Sequence, residues 1–359
     1  MIQMQTAPRA AEAAKASRNM RLIQVTPDVA CIQNVMVNLY FVGHNRPGAE
    51  WVLIDAGLPY SAQGILRAAE KRFGPGARPR AIYLTHGHFD HVGAVRELAE
   101  FWDVPVFAHE LELPYLTGLS SYAPPDPNVG GGLLAWISSL YPRGPIDLGR
   151  RVNALQANDL PFLDKWRWIH TPGHTPGHVS FFREQDRLLL AGDAFTTTRP
   201  ESLRAQLRPR PGVYGPPAYF TCDWASAWSS VQRLASLHPA VAATGHGLPL
   251  RGAELEQGLQ TLARDFDRLA VPRRGRYVLQ PAVADKTGVV YLPPAPVNAL
   301  FVGALGLAGA AGAVALYYGL RRRKKSPHMA GTRPPHGGGG AAALTRITAT
   351  GAGDQPGAA

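Results

Sequence analysis

The segment Thr85-His86-Gly87-His88-Phe89-Asp90-His91 constrains this chain more than any other. Four side chains able to ligate a divalent metal stand at positions 86–91. The run 80–85 before them is apolar, β-favouring and opened by Pro79, as in a short buried strand. Residues 92–98 after them read as the first turns of a helix. The cluster therefore sits on a loop at the carboxyl end of a strand, where α/β sheets place their chemistry. His86 and His88 are two apart, so in an extended segment both rings project to one side and reach one ion. Asp90 and His91 come as the chain turns, and can face a second ion. Imidazole and carboxylate donors suit zinc, and also iron or manganese. A single histidine is most often a surface or hydrogen-bonded residue; four such donors packed together are not the composition of a solvated loop.

With that motif the sequence resembles the metallo-β-lactamase superfamily, whose His-x-His-x-Asp-His signature is matched at 86–91. Further segments match in order: 51–57 with Asp55, 169–178 with His174, 188–193 with Asp193, and 243–247 with His246. The resemblance spans residues 20–285 and implies an α/β fold, a four-layer αββα sandwich. It implies that His86, His88 and His174 hold one metal and that Asp90, His91 and His246 hold a second. Asp193 bridges them, and Asp55 supports the ligands without binding metal. Two zinc ions per chain are expected, with iron or manganese as substitutes.

Composition removes other classes. The 45% hydrophobic content is enough for a substantial core. Cys31 and Cys222 cannot build a disulfide framework, so no oxidising compartment is demanded. The formal charge of +11 invites a nucleic-acid reading, yet residues 319–359 carry seven Lys/Arg against one Asp. The remaining +5 is spread over more than three hundred residues. The basicity belongs to the tail; a small-molecule substrate is expected and no nucleic acid.

Along the chain, 1–19 reads as a flexible terminus without a secretory leader. Two strands are expected within 29–42, a third at 51–55 and a helix over 61–73. His109 follows a strand at 104–108 and is assigned a structural role at the sheet edge. Residues 111–147, rich in proline and aromatic residues, read equally as a substrate lid or a packing insertion. His178 is read as a strand-start residue bonded to the His174 turn. The loop 194–217 carries Arg199, Arg204, Arg208, Arg210 and Tyr214; solvated surface charge is the default reading, and an anionic substrate the sharper one. Tyr214 or Tyr219 is a candidate to steady an oxyanion. Apolar stripes at helical spacing predict helices over 224–234 and 255–269, and 277–282 reads as a final strand.

Residues 286–296 read as a linker. The next 24 residues, 297–320, hold no charge and are followed by Arg321-Arg322-Arg323-Lys324-Lys325. About 20 apolar residues cross a bilayer, so a C-terminal transmembrane helix is expected. Its many glycines and alanines favour close helix pairing. The protein is thus expected to be membrane-associated and single-pass. The basic cluster would hold the tail cytoplasmic, but with no leader the catalytic part is assigned to the cytoplasmic side. Residues 321–359 read as a basic, then disordered, tail. Nothing in the sequence sets an oligomeric state.

The expected activity is hydrolysis of an ester, thioester or lactone by a hydroxide shared between two zinc ions, with Asp90 and Asp193 as catalytic residues. Aspartate at 193, rather than cysteine or serine, resembles the glyoxalase II, lactonase and RNase Z branches. Only 52 residues separate Asp193 from His246, too few for the RNA-processing branch's inserted domain. His88 stands where flavodiiron oxidoreductases carry glutamate. The alternatives are a mononuclear iron persulfide dioxygenase and a phosphodiesterase or nuclease of the same fold.

Overall fold

The computed structural model describes residues 20–156, 160–208 and 210–295. One sheet contains β1 (Met20–Thr26), β2 (Val29–Asn34), β3 (Val37–Val42), β4 (Val52–Ile54), β5 (Ile82–Tyr83), β6 (Val106–Ala108) and β7 (Val152–Ala154), side by side in chain order. Pairing is antiparallel from β1 to β4 and parallel from β4 to β7. A second sheet contains β8 (Trp166–His170), β9 (Val179–Arg183), β10 (Leu188–Gly192), β11 (Val241–Thr244) and β12 (Leu250–Arg251), in the order β12-β11-β10-β9-β8. Its one parallel pair is β10 with β11.

The inner strands of both sheets are buried on both faces, which a strand accepts only when each face is covered. In β3, Leu39 and Phe41 enter one cluster while Tyr40 and Val42 enter another. In β10, Leu189 points outward while Leu188 and Leu190 join the cluster containing Tyr40 and Val42. The shared cluster is the contact between the sheets. The outer face of the first sheet is closed by α1 (Ala62–Phe73) and α2 (Val95–Trp102), through Ile65, Phe73, Leu98 and Trp102. Short helices α3 (Leu113–Leu116), α4 (Leu133–Trp136) and α5 (Leu203–Leu207) lie in the two long loops. The outer face of the second sheet is closed by α6 (Trp224–Ala235), α7 (Gly252–Arg264) and α8 (Phe266–Leu269), through Trp224, Val231, Leu255, Leu259 and Phe266. The expected αββα layering is what these residues build.

Several local expectations need correction. The helix after the metal loop starts at Val95, not at 92, because backbone bonds hold the preceding turn: Val92 N–H donates to His88 O and Gly93 N–H to Gly57 O. The stripe over 255–269 breaks at Asp265, and Leu269 is left exposed. Residues 277–282 form no strand. The last strands are β13 (Val283–Asp285) and β14 (Gly288–Tyr291), an antiparallel hairpin inside the stretch read as domain end and linker. It packs back on the loop 111–147, where Val289 N–H donates to Ser120 Oγ at 3.3 Å. The transmembrane expectation for 297–320 lies outside the described residues. Among the described residues no helix is long and apolar enough to cross a membrane.

Candidate metal centre

Parallel pairing brings strand ends to the same edge, and the site is assembled from two such pairs together with the β8–β9 turn that carries His174. The β4/β5 pair delivers Asp55 and the loop 85–91; the β10/β11 pair delivers Asp193 and the loop 245–246. Hydrogen bonds across the sheets lock the two edges together. Asn38 N–H donates to Gly245 O at 2.8 Å, and its side-chain amide donates to Thr244 O at 2.8 Å and Gly247 O at 2.7 Å. Val179 N–H donates to Thr85 O at 2.9 Å.

All seven sequence-predicted residues meet at this edge, and all are buried. Ligand atoms of His86, His88 and His174 lie within 4.8 Å of one another, as do those of Asp90, His91 and His246, and of His86, His91 and Asp193. His88 Nδ1 stands 3.0 Å from His174 Nε2. Two nitrogens bound to one tetrahedral ion at about 2.0–2.1 Å stand about 3.3 Å apart, so this spacing suits a shared cation. Asp193 Oδ2 lies 3.1 Å from His246 Nε2, 3.5 Å from His174 Nε2 and 3.6 Å from His91 Nε2. His86 Nε2, His91 Nε2 and Asp193 Oδ1 are buried without any hydrogen-bond partner. Buried polar atoms are normally satisfied, and unpartnered donors on residues whose ligand atoms lie within 4.8 Å of one another are what a cation would satisfy.

The surrounding hydrogen bonds settle which ring nitrogen is free. Asp55 accepts from Thr85 N–H and Thr85 Oγ1, both at 2.8 Å. The Thr85 proton is thereby committed, so its oxygen accepts from His86 Nδ1–H at 3.0 Å. Asp55 also accepts from His91 Nδ1–H at 2.8 Å. Thr221 Oγ1 donates to Pro217 O at 2.8 Å and so accepts from His174 Nδ1–H at 3.3 Å. Met36 O accepts from His246 Nδ1–H at 2.7 Å. Each partner leaves an Nε2 lone pair aimed inward, the arrangement typical of metal-binding histidines.

Electrostatics follows from burial. Burial, reinforced by neighbouring rings, holds His86 and His88 well below the ordinary histidine range and lowers His174 to about 3, so all three present neutral donors. Burial also works against a proton on His91 and His246, but Asp193 outweighs it: His91 is held well above its usual range and His246 at about 8. Burial would raise Asp193, yet His246 and His91 hold it well below the carboxylate range. Asp90 is pushed up by burial. Protons thus occupy positions that cations would take, and cation uptake would release them.

Other expectations find their places. His178, as read, is structural: Thr171 N–H donates to its carbonyl at 2.9 Å, and its ring bonds Thr171 Oγ1 and Asp193 N–H. His109 accepts from Leu111 N–H and stacks on His170 at 4.2 Å, away from the metal ligands. Tyr214 is also away from them, its backbone paired with Thr196 and its ring under Arg199. Tyr219 is buried beside Tyr141 and Phe220, and burial and then Asp90 keep its phenol neutral. The loop 111–147 does reach the site, since Tyr122 packs on His88 and Tyr141 on Phe89.

Sequence reasoning missed Glu112. Its fully buried carboxylate accepts from Gly87 N–H at 2.9 Å, Thr175 Oγ1 at 2.7 Å, Gly177 N–H at 2.8 Å and Tyr122 Oη. It ties the His86 loop to the His174 loop. No local pattern marks Glu112, because every partner is distant in the chain.

Known proteins resemble this chain. The family model described as the metallo-beta-lactamase superfamily matches residues 33–246. The chain is 47% identical over 229 residues to "Probable metallo-hydrolase YflN" of Bacillus subtilis, an alignment covering 64% of this chain and 87% of that protein. It is 32% identical over 174 residues to "Probable metallo-hydrolase YybB" of the same organism, covering 48% and 68%. A solved structure, the archaeal superfamily protein ST1585 from Sulfolobus tokodaii, matches at 21% identity and a TM-score of 0.43, over 68% of this chain and 85% of that one. With the family model spanning every motif from β2 to His246, this chain belongs to the metallo-beta-lactamase superfamily.

Proposed function

We propose that this protein is a metal-dependent hydrolase that cleaves an ester, thioester or lactone in a small molecule, using two divalent cations, zinc first among them. His86, His88 and His174 would hold one cation, Asp90, His91 and His246 the other, and Asp193 would bridge them. The observation that carries the reading is Asp193, one carboxylate within 3.6 Å of His91, His174 and His246 whose second oxygen has no partner. The nitrogen and oxygen donor set supports zinc over softer-ligand metals. Relatives bearing the name metallo-hydrolase support hydrolysis.

Bound divalent cations supply Lewis acidity, which makes water nucleophilic near neutral pH and polarises the bond under attack. The chain's own residues do the rest. The fixed tautomers keep Nε2 of His86, His91, His174 and His246 available without reorganisation. Asp90 is placed to take the proton that the attacking water gives up. Tyr219 keeps its phenolic proton for a developing oxyanion. Phe89, Tyr141 and Phe220 limit access of bulk water.

Metal analysis of the purified full chain, combined with a panel of esters, thioesters, lactones, phosphodiesters and persulfides, tests this reading. Two divalent ions per chain and turnover of a carboxylic ester type are expected. One iron per chain with oxygen consumption on a persulfide, or turnover of phosphodiesters alone, overturns it. Attachment to a membrane through 297–320 belongs to the same reading, supported by the uncharged run and the basic cluster after it. Retention of the full chain in the membrane pellet after alkaline extraction is the expected result; release to the supernatant contradicts it.

A further inference from the structure

The loop after Asp193 borders an open concavity. It has a volume of about 480 Å³ and is lined by Thr198, Arg199, Arg204, Arg208, Arg210 and Tyr214 among others. No metal-centre residue contributes to this lining. Among the described residues, none of the four arginines forms an ion pair with a carboxylate. The nearest acid in sequence, Glu201, is engaged elsewhere: it accepts from Ala218 N–H at 2.8 Å, and burial pushes its carboxyl up. Arg204, Arg208 and Arg210 therefore line one concave surface without a carboxylate partner, while the charge of Arg199 also acts on Glu201.

The backbone that carries these arginines is hydrogen-bonded. Tyr214 and Thr196 exchange two backbone hydrogen bonds, at 2.9 and 3.0 Å. Arg199 lies over the Tyr214 ring at 5.2 Å. Arg208 N–H donates to Arg204 O at 2.9 Å, and Thr198 Oγ1 donates to Ala205 O at 3.3 Å. Solvated arginines normally spread over a surface, where mutual repulsion is least. Four of them around one cavity raise the local potential and draw in anions. The planar guanidinium fork matches phosphate oxygens two at a time, and the volume admits a small organic phosphate rather than an ion alone.

We propose that the concavity walled by Arg199, Arg204, Arg208 and Arg210 is a binding site for a small molecule carrying a phosphate group. The site is separate from the metal centre, and it stands whether or not the hydrolase reading holds.

The test is calorimetric titration of the full-length, metal-loaded protein with glycerol 3-phosphate at low ionic strength. Three proteins are compared: wild type, Arg204→Gln/Arg208→Gln, and Asp193→Ala. Saturable one-to-one binding is expected for wild type and for Asp193→Ala. The double variant should bind at least about tenfold more weakly, the loss of roughly 1.4 kcal/mol, with unchanged melting temperature. Equal affinity in the double variant overturns the proposal. So does loss of binding in Asp193→Ala alone, which would place the anion at the metal centre. A single-stranded RNA that displaces the phosphate compound and binds far more tightly would overturn it in favour of a nucleic-acid surface.

Discussion

The backbone N–H of Asp193 donates to Nε2 of His178 at 2.8 Å. A chain of hydroxyls makes that direction obligatory. Ala191 O can only accept, so Ser180 Oγ donates to it at 2.9 Å. Ser180 Oγ then accepts from Thr171 Oγ1 at 3.0 Å, and Thr171 Oγ1 accepts from His178 Nδ1–H at 2.8 Å. His178 is left with its lone pair on Nε2, facing Asp193. Replacing His178 with alanine should strand a buried N–H and let the bridging carboxylate drift. Activity should fall by about 10–100-fold with partial loss of metal, as when other outer-shell partners of metal ligands are removed. Turnover and metal stoichiometry measured together check this, and His178→Gln, which keeps an acceptor, should recover part of the loss.

Gly192 makes that contact geometrically feasible. Its φ is +55°, and a Cβ there would lie 2.6 Å from His178 Nε2 and 2.9 Å from Thr85 Cβ. The β10/β11 register also shifts between Leu190 and Gly192, turning Asp193 into the site. Gly192→Ala should destabilise the fold by about 2–4 kcal/mol, combining the left-handed backbone cost with overpacking. Urea unfolding measures it; a loss below the left-handed cost alone would show that His178 moves aside freely.

Glu112 joins two loops that carry ligands from opposite sheets. Glu112→Gln keeps the shape but presents an amide N–H₂ to groups that are themselves donors, Gly177 N–H among them. A buried network broken in this way should cost about 2–3 kcal/mol. The lowered melting temperature should be accompanied by weaker zinc retention against a chelator, because the His86 and His174 loops lose their common anchor.

Acid stability should depend on Asp28 and Arg183, which join the two sheets at the far end. Arg183 Nη1 lies 2.5 Å from Asp28 Oδ2, and Arg183 also pairs with Asp186 at 2.7 Å. Burial works to raise the Asp28 carboxyl, but the Arg183 contacts outweigh it and hold the group below its usual value. A depressed folded-state value stabilises the fold above the unfolded value near pH ~4 and is lost as pH falls through the folded one. Asp28→Asn should remove about 1–2 kcal/mol at neutral pH and flatten the stability profile below pH ~4. An unchanged slope in urea titrations across that range would assign the acid sensitivity to other carboxylates.

The metal-loop ligands were legible because His86, His88, Asp90 and His91 stand within one turn of chain, where spacing alone dictates proximity. His174, Asp193 and His246 were legible only through their match to separate family motifs; nothing local to them says that they meet. Helix α6 followed from apolar periodicity, and the end of α1 from the Gly74-Pro75-Gly76 breaker. The final hairpin did not, since Val283, Val290 and Tyr291 are exposed on it and give no buried face to read.

By itself the sequence determined which side chains could bind a metal, because residue type and short-range spacing carry that information; the αββα sandwich came through the family resemblance. Which nitrogen His174 and His246 offer, and how Asp193 is aimed, was decided only by the tertiary structure. Those properties depend on Thr221, Met36 O, Asn38, Glu112 and His178, hydrogen-bond partners between 15 and 210 positions away. A hydrogen bond is made by direction and distance, and at such separations both are set by how the sheets pack.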